Sequence, residues 1–152
     1  MPGSQDENPQ PRGAAPQAGG GNGVQALAPG DIAPPFGAYS HGVLMPPGLR
    51  MIRTSGQLAL APGGAVPEGA EAQAALCLHN IDRILAEGGM GPADIVHLSA
   101  WVTDRAHMAG YMRARDAFLV GVPVRPASTL LIVSGFTRPE FMVEIEAVAM
   151  AP

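Results

Sequence analysis

The feature that most constrains the fold of this chain is residues 141–150, FMVEIEAVAM, where two glutamates interrupt an apolar run. Side chains two positions apart in a β-strand point to the same face of the sheet. One face would carry Met142, Glu144, Glu146, Val148 and Met150, and the other Phe141, Val143, Ile145, Ala147 and Ala149. Because an unpaired carboxylate is costly to bury, two glutamates on such a face need a structural or chemical reason.

The composition is that of one globular domain without a nucleic-acid surface. The chain has 152 residues, 47% of them hydrophobic and 14% charged, which is enough for one core of ordinary size. The net charge is −4, and all nine basic residues are arginines. Because a phosphate backbone is bound by clustered lysine and arginine, we expect no nucleic-acid partner. The absence of lysine also excludes Schiff-base and P-loop lysine chemistry.

The sequence predicts a tail followed by one domain. Residues 1–30 are rich in Pro, Gly, Gln and Asn and carry few large apolar side chains, so we expect a disordered tail ahead of a folded domain at 31–152. A single cysteine permits no internal disulfide. No stretch has the roughly 20 apolar residues of a membrane span, and no signal-peptide pattern is present. A soluble cytoplasmic protein without a membrane partner is the expectation.

Hydrophobic periodicity predicts two helices among five strands. Strands near 39–44 and 49–60, separated by the turn signal MPPG, are expected to pair as a hairpin. A helix over 68–87 follows, whose packed stripe is Ala74, Leu78, Ile81 and Leu85, and then a strand over 94–103 with Val96, Leu98, Ala100 and Val102 on one face. A second helix, with Asp104 as its N-terminal cap and its end at about Val120, and a closing strand pair come after these. Two helices can cover only one face of such a sheet, and the other face is too apolar for water. We therefore expect an α+β fold that oligomerises through its sheet.

Two residues on the predicted helices carry reactive or charged groups. Cys77 lies on or near the packed stripe of the first helix, which favours a small buried hydrophobe over a reactive thiol. Arg115 falls on the apolar stripe of the second helix, which comprises Met108, Tyr111, Met112, Phe118 and Leu119. Its stem could pack while the guanidinium reaches solvent, or the guanidinium could clamp an anion at a pocket or subunit boundary.

The four histidines give no indication of a metal site. His41, His79, His97 and His107 lack the spacing of metal ligands. His79 is predicted on the exposed side of its helix, and His97 shares a strand face with Trp101, which favours an interface histidine. We expect neither a metal nor a cofactor.

Five segments occur in the order and spacing of a known family. They are GAYSHGV at 37–43, TSGQLAL at 54–60, HNIDRILAEGG at 79–89, WVTD at 101–104 and VEIEAVA at 143–149. Together they resemble the Rid (reactive intermediate deaminase, YjgF-like) family over residues 32–150. The resemblance implies a chorismate-mutase-like fold, a mixed β-sheet with two helices on one face. It also implies a homotrimer whose sheets face a central barrel and whose active sites lie between subunits.

The resemblance also implies roles for individual residues. In Rid members that hydrolyse enamines and imines to ketones and ammonia, a glutamate of the last strand orients or activates water. That glutamate matches Glu144, and a pocket tyrosine of the first strand matches Tyr39. The Ser-Gly pair of the second strand matches Ser55 and Gly56.

The family's substrate-binding arginine has no counterpart in this chain. In the family it lies in a Pro-x-Arg-Ser/Thr segment and holds the substrate carboxylate. Aligning Ser128 and Thr129 with the family's Ser/Thr places Ala127 at the arginine position. Arg125 is two positions away, on the same strand face but roughly 6–7 Å further back.

Other residues near the predicted cleft become candidates for the substrate site. Ala127 and Thr129 enter through the alignment, and Met112 stands where many deaminating members carry a polar residue. Arg115 and Arg125 are the candidates to replace the missing carboxylate clamp.

Two functions of different kinds are compatible with these residues. The first is an enzyme that uses Glu144 to transfer water or a proton to a small reactive imine or enamine. Its reaction could be deamination, dehydration, cyclisation or tautomerisation, in metabolite clean-up or in biosynthesis. The second is a non-catalytic metabolite-binding or regulatory trimer that lost deaminase activity with the arginine. Endoribonuclease activity, sometimes attached to this family, is disfavoured by the acidic charge and few aromatic residues.

Overall fold

The computed structural model of the protein describes residues 21–35 and 37–152. Of the predicted tail, residues 1–20 lie outside the described residues. Within residues 21–30, Gln25–Leu27 form a strand and the preceding Val24 is buried. Regular structure is therefore present ahead of the predicted boundary at residue 31.

Seven strands and two α-helices make up the described part of the chain. They are β1 Gln25–Leu27, β2 Gly42–Leu44, β3 Arg50–Arg53, β4 Gln57–Leu58, α1 Ala70–Glu87, β5 Ile95–Val102, α2 Met108–Phe118, β6 Ala127–Ile132 and β7 Val143–Ala151. Short 3-10 turns at Pro92–Asp94 and Arg105–His107 precede β5 and α2. Within the described ranges, no helix has the length and apolar character needed to cross a membrane.

The closing strand β7 lies inside the main sheet. The strand order is β3-β7-β5-β6, and β4 also pairs with β7. Strand β7 is antiparallel to β3, β4 and β5, whereas β5 and β6 run parallel. The segment that carries the two glutamates therefore has neighbours along both edges.

The predicted hairpin between residues 39–44 and 49–60 is wrong. Strand β2 pairs with β1 in a separate two-stranded sheet, with Val43 opposite Ala26. Strand β3 instead pairs with β7, with Ile52 opposite Ala149. A buried strand needs hydrogen-bond partners along both edges, and β3 and β4 supply one whole edge of β7. The turn signal at 45–48 marks a change of direction and does not select the partner strand.

Both helices and one face of the main sheet enclose the core, which confirms the predicted α+β class. Helix α1 buries the predicted stripe of Ala74, Leu78, Ile81 and Leu85 against the apolar face of β7. The two helices approach so closely that a Cβ atom at Gly110 would lie 2.9 Å from the backbone nitrogen of Glu71. A side chain at that position would push the helices apart.

The cysteine is part of this core, as predicted. Cys77 is fully buried, and its Sγ lies 3.8 Å from the carbonyl oxygen of Val143. Burial, and to a lesser extent the nearby charge of Glu144, raises the pKa of the Cys77 thiol to about 12. The thiol therefore stays protonated and behaves as a small hydrophobe.

Strand β5 follows its predicted alternation except at its start. Leu98, Ala100 and Val102 are buried, while His97, Ser99 and Trp101 occupy the half-buried face. The register against β7 shifts between Ile95 and His97. This bulge places Ile95 in the main core and Val96 in a second cluster with Val24 and Val124. The prediction that Val96 shares a face with Leu98 is therefore wrong.

Helix α2 is shorter than predicted, and of its predicted stripe only Met112 lies away from the core. Asp104 caps the 3-10 turn that precedes α2 and not the α-helix itself, since its Oδ1 accepts a hydrogen bond from Ala106 N at 2.7 Å. The α-helix itself begins at Met108, after a 3-10 turn, and ends at Phe118. Tyr111, Ala114 and Arg115 are buried, whereas Met112 is 36% exposed and lies off the packed stripe.

Candidate functional site

The face of β7 that carries the glutamates is the one left uncovered by the helices. Burial alternates along the strand as the sequence predicted, with Val143, Ile145 and Ala147 buried and the glutamates half-buried. Glu144 and Glu146 therefore lie side by side on the open face of the sheet. The folded chain thus places two partly buried carboxylates on one strand face, as the sequence indicated.

Neighbouring strands surround the glutamates with residues of the same open face. Strand β5 places Trp101 opposite Glu144 and Ser99 opposite Glu146. Beyond it, strand β6 places Thr129 opposite Ser99. Thr129 is therefore two strand spacings from Glu146, about 10 Å, and does not touch it.

The other side of Glu144 is formed by a glycine. A Cβ atom at Gly56 would lie 1.9 Å from Glu144 Oε1 and 2.8 Å from its carboxyl carbon. No side chain could occupy that space without displacing the carboxylate, so Gly56 is required here for close approach. Gly56 lies between β3 and β4, and just before it Thr54 is fixed to β7 by a hydrogen bond from Ala147 N to its hydroxyl at 3.0 Å. Gly56 and Glu144 are therefore in close contact, while Ser55 beside Gly56 is exposed.

A cavity of about 290 Å³ opens in front of these residues. Its walls include Gly56, Trp101, Val133, Phe136, Glu144 and Glu146. A volume of this size suits a small metabolite rather than a polymer. We call this cavity the glutamate pocket.

Glu144 is electrostatically strained in the glutamate pocket. Its carboxylate makes no hydrogen bond or ion pair with any residue in the described part of the chain. Partial burial, followed by the negative charge of Glu146, raises the pKa of Glu144 above its ordinary value. A carboxylate in this state is suited to accept and return a proton nearer neutral pH.

Glu146 differs from Glu144 because it has a cationic neighbour. Arg53 Nη2 lies 3.6 Å from Glu146 Oε1, and the arginine side chain is 66% exposed. An exposed pair of this kind contributes little stability. It nevertheless partly neutralises the charge of Glu146.

Arg115 is buried rather than directed to solvent. Its Nε and Nη2 atoms both contact Asp116 Oδ1, at 2.9 Å and 2.8 Å. Its guanidinium carbon lies 5.7 Å from the centre of the Tyr111 ring. The side chain is only 6% exposed, so the interpretation in which the guanidinium reaches solvent is wrong.

Arg125 and Tyr39 come together at the start of β6. Arg125 Nη1 donates a hydrogen bond to the carbonyl of Leu119 at 2.8 Å. The backbone carbonyl of Arg125 in turn accepts a hydrogen bond from Ser40 Oγ at 2.6 Å. An isolated bridge between Ser40 and Ala127 joins the two segments, which places Tyr39 next to the predicted arginine position.

Within the single chain the predicted site residues therefore form two separate groups. Ala127 is opposite His97, whereas the glutamate pocket lies beside Trp101 on the same strand. Four residues of extended strand separate His97 from Trp101, which corresponds to about 13 Å. Gly56 and Glu144 are in contact, but Tyr39, Ala127 and Arg125 belong to the distant group.

The remaining chemical groups do not add to the pocket. Met112 lies on the outer side of α2, and His79 is exposed as predicted. His97 Nδ1 is 3.4 Å from Ser99 Oγ on the open face. Residues 21–35 and 37–152 contain no group of three or more His, Cys, Asp or Glu side chains arranged to hold a metal ion.

Two aromatic residues of the pocket were not predicted as site residues. Trp101 could have been included, because strand alternation already placed it on the open face of β5. Phe136 lies in the loop between β6 and β7. No periodicity applies in that loop, so nothing in the sequence pointed to Phe136.

A family model and several solved structures match this chain. The model described as "Endoribonuclease L-PSP" covers residues 31–151. The structure of the Rid-family protein YyfB from Yersinia pestis is 30% identical, covers 83% of this chain and 97% of its own, and has a TM-score of 0.73. The YjgF structure from Escherichia coli is 32% identical, covers 76% of this chain and 89% of its own, and has a TM-score of 0.61. The chain belongs to the Rid/YjgF family.

One relative within this family is TdcF of Escherichia coli (strain K12), provisionally named a reactive intermediate deaminase. It is 35% identical over 78 residues, which cover 51% of this chain and 55% of TdcF. The chain thus spans about half the length of the curated relatives it matches. A crystal structure of E. coli TdcF with bound serine is 28% identical, covers 82% of this chain and 94% of that chain, and has a TM-score of 0.63.

Proposed function

We propose that this protein is an enzyme that hydrolyses or otherwise transforms a small reactive imine or enamine, with Glu144 as the proton-transfer group. The observation that carries the proposal is the state of Glu144. It is half-buried, has no partner among the described residues, has a raised pKa and is held against Gly56 in a cavity of about 290 Å³. Structural carboxylates are normally paired, so an unpaired one in a pocket favours a chemical role.

Hydrolysis of an iminium ion illustrates what Glu144 would do. Its carboxylate accepts a proton from water while the water oxygen bonds to the iminium carbon, and the C=N double bond becomes a C–N single bond. Glu144 then returns the proton to nitrogen. Loss of ammonia and a proton from the resulting amino alcohol leaves the carbonyl product. A dehydration, cyclisation or tautomerisation would use the same proton transfer on a different substrate.

The proposed working unit is a homotrimer. The open face of the main sheet exposes large apolar side chains, with Met51 62% and Leu131 53% exposed. Such a face favours association. In a trimer, the segment around Tyr39 of one subunit would complete the glutamate pocket of the next, which accounts for two groups of site residues that are far apart in one protomer.

The proposal is tested by replacing Glu144 with glutamine and measuring imine turnover. The imine is generated in situ, with a carboxylate by an amino-acid oxidase or without one by an amine oxidase, and its disappearance is followed in competition with semicarbazide. Glu144→Gln should reduce turnover by about 10²–10⁴-fold, because the general base is lost. Glu71→Gln, an exposed glutamate on α1, is the matched control and should retain wild-type turnover. Full turnover by Glu144→Gln on a substrate of the wild type would overturn the assignment.

A second candidate is a trimer that binds a metabolite without transforming it. It is favoured by Ala127 at the arginine position and by the engagement of Arg115 and Arg125 in contacts within the protomer. The TdcF structure with bound serine gives a precedent for a small ligand in a relative. Saturable binding of a metabolite, with no turnover of any imine tested, would favour this candidate over the enzyme.

A further inference from the structure

The glutamate pocket has the chemistry of a site for a positively charged ligand. We infer that its substrate is a cationic iminium or amine-derived compound without a carboxylate. The inference rests on the proposed function and goes beyond it by naming the charge of the substrate. It reverses the recognition expected from the resemblance, in which an arginine holds an anionic substrate.

The first support is the charge of the cavity wall. Glu144 and Glu146 both line the cavity, and no arginine or histidine is among its lining residues in the described part of the chain. Arg53 lies outside the lining, at 3.6 Å from Glu146, and its side chain is mostly exposed to solvent. A carboxylate-bearing substrate would meet repulsion from Glu144, whereas a cation would be attracted to it.

The second support is the aromatic part of the wall. Trp101 and Phe136 are half-buried and border the same cavity as Glu144. The face of an aromatic ring attracts a cation, and tryptophan does so most strongly. A pocket that combines two carboxylates with two aromatic rings offers a cation both a charged partner and an apolar wall.

The third support is that the two arginines expected to replace the carboxylate clamp make contacts with other residues of the chain. Arg115 is buried in its contact with Asp116, and Arg125 donates to the carbonyl of Leu119. Neither residue lines the glutamate pocket of its own chain. In the proposed trimer, Arg125 belongs to the group of residues that approaches the pocket of the next subunit, but its Nη1 is already held by the carbonyl of Leu119. Two independent features, a negative pocket and engaged arginines, therefore point to the same class of substrate.

The direct test measures binding of three probes with the same carbon chain to the full-length wild-type protein. The probes are butylammonium, butanamide and butyrate, followed by calorimetry or ligand-observed NMR at 50 mM and 500 mM NaCl. Butylammonium should bind at least about tenfold more tightly than butyrate, and its affinity should fall at the higher salt concentration. Equal or tighter binding of butyrate would overturn the inference.

Two variants locate the binding in the glutamate pocket. Glu146→Gln should weaken butylammonium binding by about threefold to tenfold and leave butanamide unchanged. Trp101→Leu should weaken butylammonium by about threefold or more. Glu71→Gln is again the control. If Trp101→Leu fails to fold, the Glu146→Gln variant by itself tests the location. Unchanged butylammonium affinity in Glu146→Gln would show that the cation does not bind in the glutamate pocket.

A matched pair of imines separates this inference from the proposed function. Oxidation of butylamine and of 2-aminopentanoate gives imines that differ only by the carboxylate. The inference requires faster turnover of the butylamine-derived imine. Faster turnover of the 2-imino acid, with loss in Glu144→Gln, would overturn the inference and leave the proposed function standing. Binding of butylammonium without turnover of either imine would support the cation pocket and overturn the proposed function.

Discussion

Glu144 and Arg115 are both charged side chains on largely apolar surfaces, yet they differ in burial and in the partners that surround them. Arg115 is 5% exposed and is held by Asp116 and by the ring of Tyr111. Glu144 remains half-buried, has no such partner among the described residues and lies next to a second negative charge.

This difference distinguishes a charged group that stabilises the fold from one that is available for proton transfer or ligand binding. A charge that is paired and packed is stabilised in one geometry and one ionisation state. A charge that is partly desolvated and unpaired has a shifted pKa and remains available to a ligand. Changes around Glu144 should therefore alter turnover, whereas changes around Arg115 should alter stability.

Among variants that retain Glu144, the largest effect is expected from Gly56→Ala. The added methyl group would occupy the position of the Glu144 carboxylate, so either the side chain or strand β4 must move. Turnover of the imine substrate should fall by about 100-fold, as for other misplaced catalytic groups. Gly63→Ala is the matched control, because a Cβ atom at Gly63 would meet nothing within 4 Å. Wild-type turnover by Gly56→Ala would show that the contact with Glu144 is not needed.

Removal of the paired charge should affect stability rather than chemistry. Arg115→Ala should lower the free energy of unfolding by about 1–3 kcal/mol, because it removes buried packing and leaves Tyr111 and Asp116 without their partner. Arg113→Ala is the control, since its ion pair with Glu71 is exposed on both sides and should contribute less than about 1 kcal/mol. Chemical denaturation measures both variants. Equal losses in the two would contradict the structural role assigned to Arg115.

The pH dependence of turnover should report the raised pKa of Glu144. The base is active when ionised, so turnover should fall as pH decreases through that pKa, by up to about tenfold per pH unit. Removing the neighbouring charge in Glu146→Gln should shift this fall in turnover to lower pH, because Glu146 contributes to raising the pKa of Glu144. If turnover falls at the same pH in Glu146→Gln as in the wild type, a group other than Glu144 controls the pH dependence.

The smallest effect concerns stability as a function of pH. A pKa raised in the folded protein means that the native state binds the proton more tightly, so the wild type loses stability as pH rises through this raised pKa. Glu144→Gln should therefore melt about 1–3 °C higher than the wild type at neutral pH. The difference should vanish below about pH 4, where Glu144 is protonated in both states.

Glu140→Gln provides a control of opposite sign for that measurement. The hydrogen bond from Arg138 lowers the pKa of Glu140. Glu140 therefore contributes stability above its unfolded pKa, and this contribution is lost as pH falls through its folded pKa. Glu140→Gln should not raise the melting temperature at neutral pH. A rise in both variants would indicate a general effect of net charge instead of the local state of Glu144.

Local periodicity was sufficient for the elements that bury one face. The stripe of α1 and the alternation of β7 both follow from residue spacing, because a helix repeats every 3.6 residues and a strand every two. The same alternation placed Glu144, Glu146 and Trp101 on the open face. Residue spacing does not reveal a β-bulge. For that reason the sequence assigned Val96 to the face that Ile95 occupies in the structure.

Pairing between distant segments required the tertiary structure. The partner of β3 is β7, about a hundred residues later in the chain, whereas a short turn suggested β2 as the partner. Arg115 was ambiguous because spacing places its Cα atom on the buried side without revealing whether Asp116 reaches the guanidinium.

The sequence by itself determined that two carboxylates would share an apolar strand face, and that this face belongs to a Rid-like sheet. Only the tertiary structure decided which residues those carboxylates meet. Gly56 contacts Glu144 and Phe136 borders the same cavity, and the two come from separate segments of the chain. Their approach depends on strand register and loop path, which arise from packing of the whole domain and not from any local repeat.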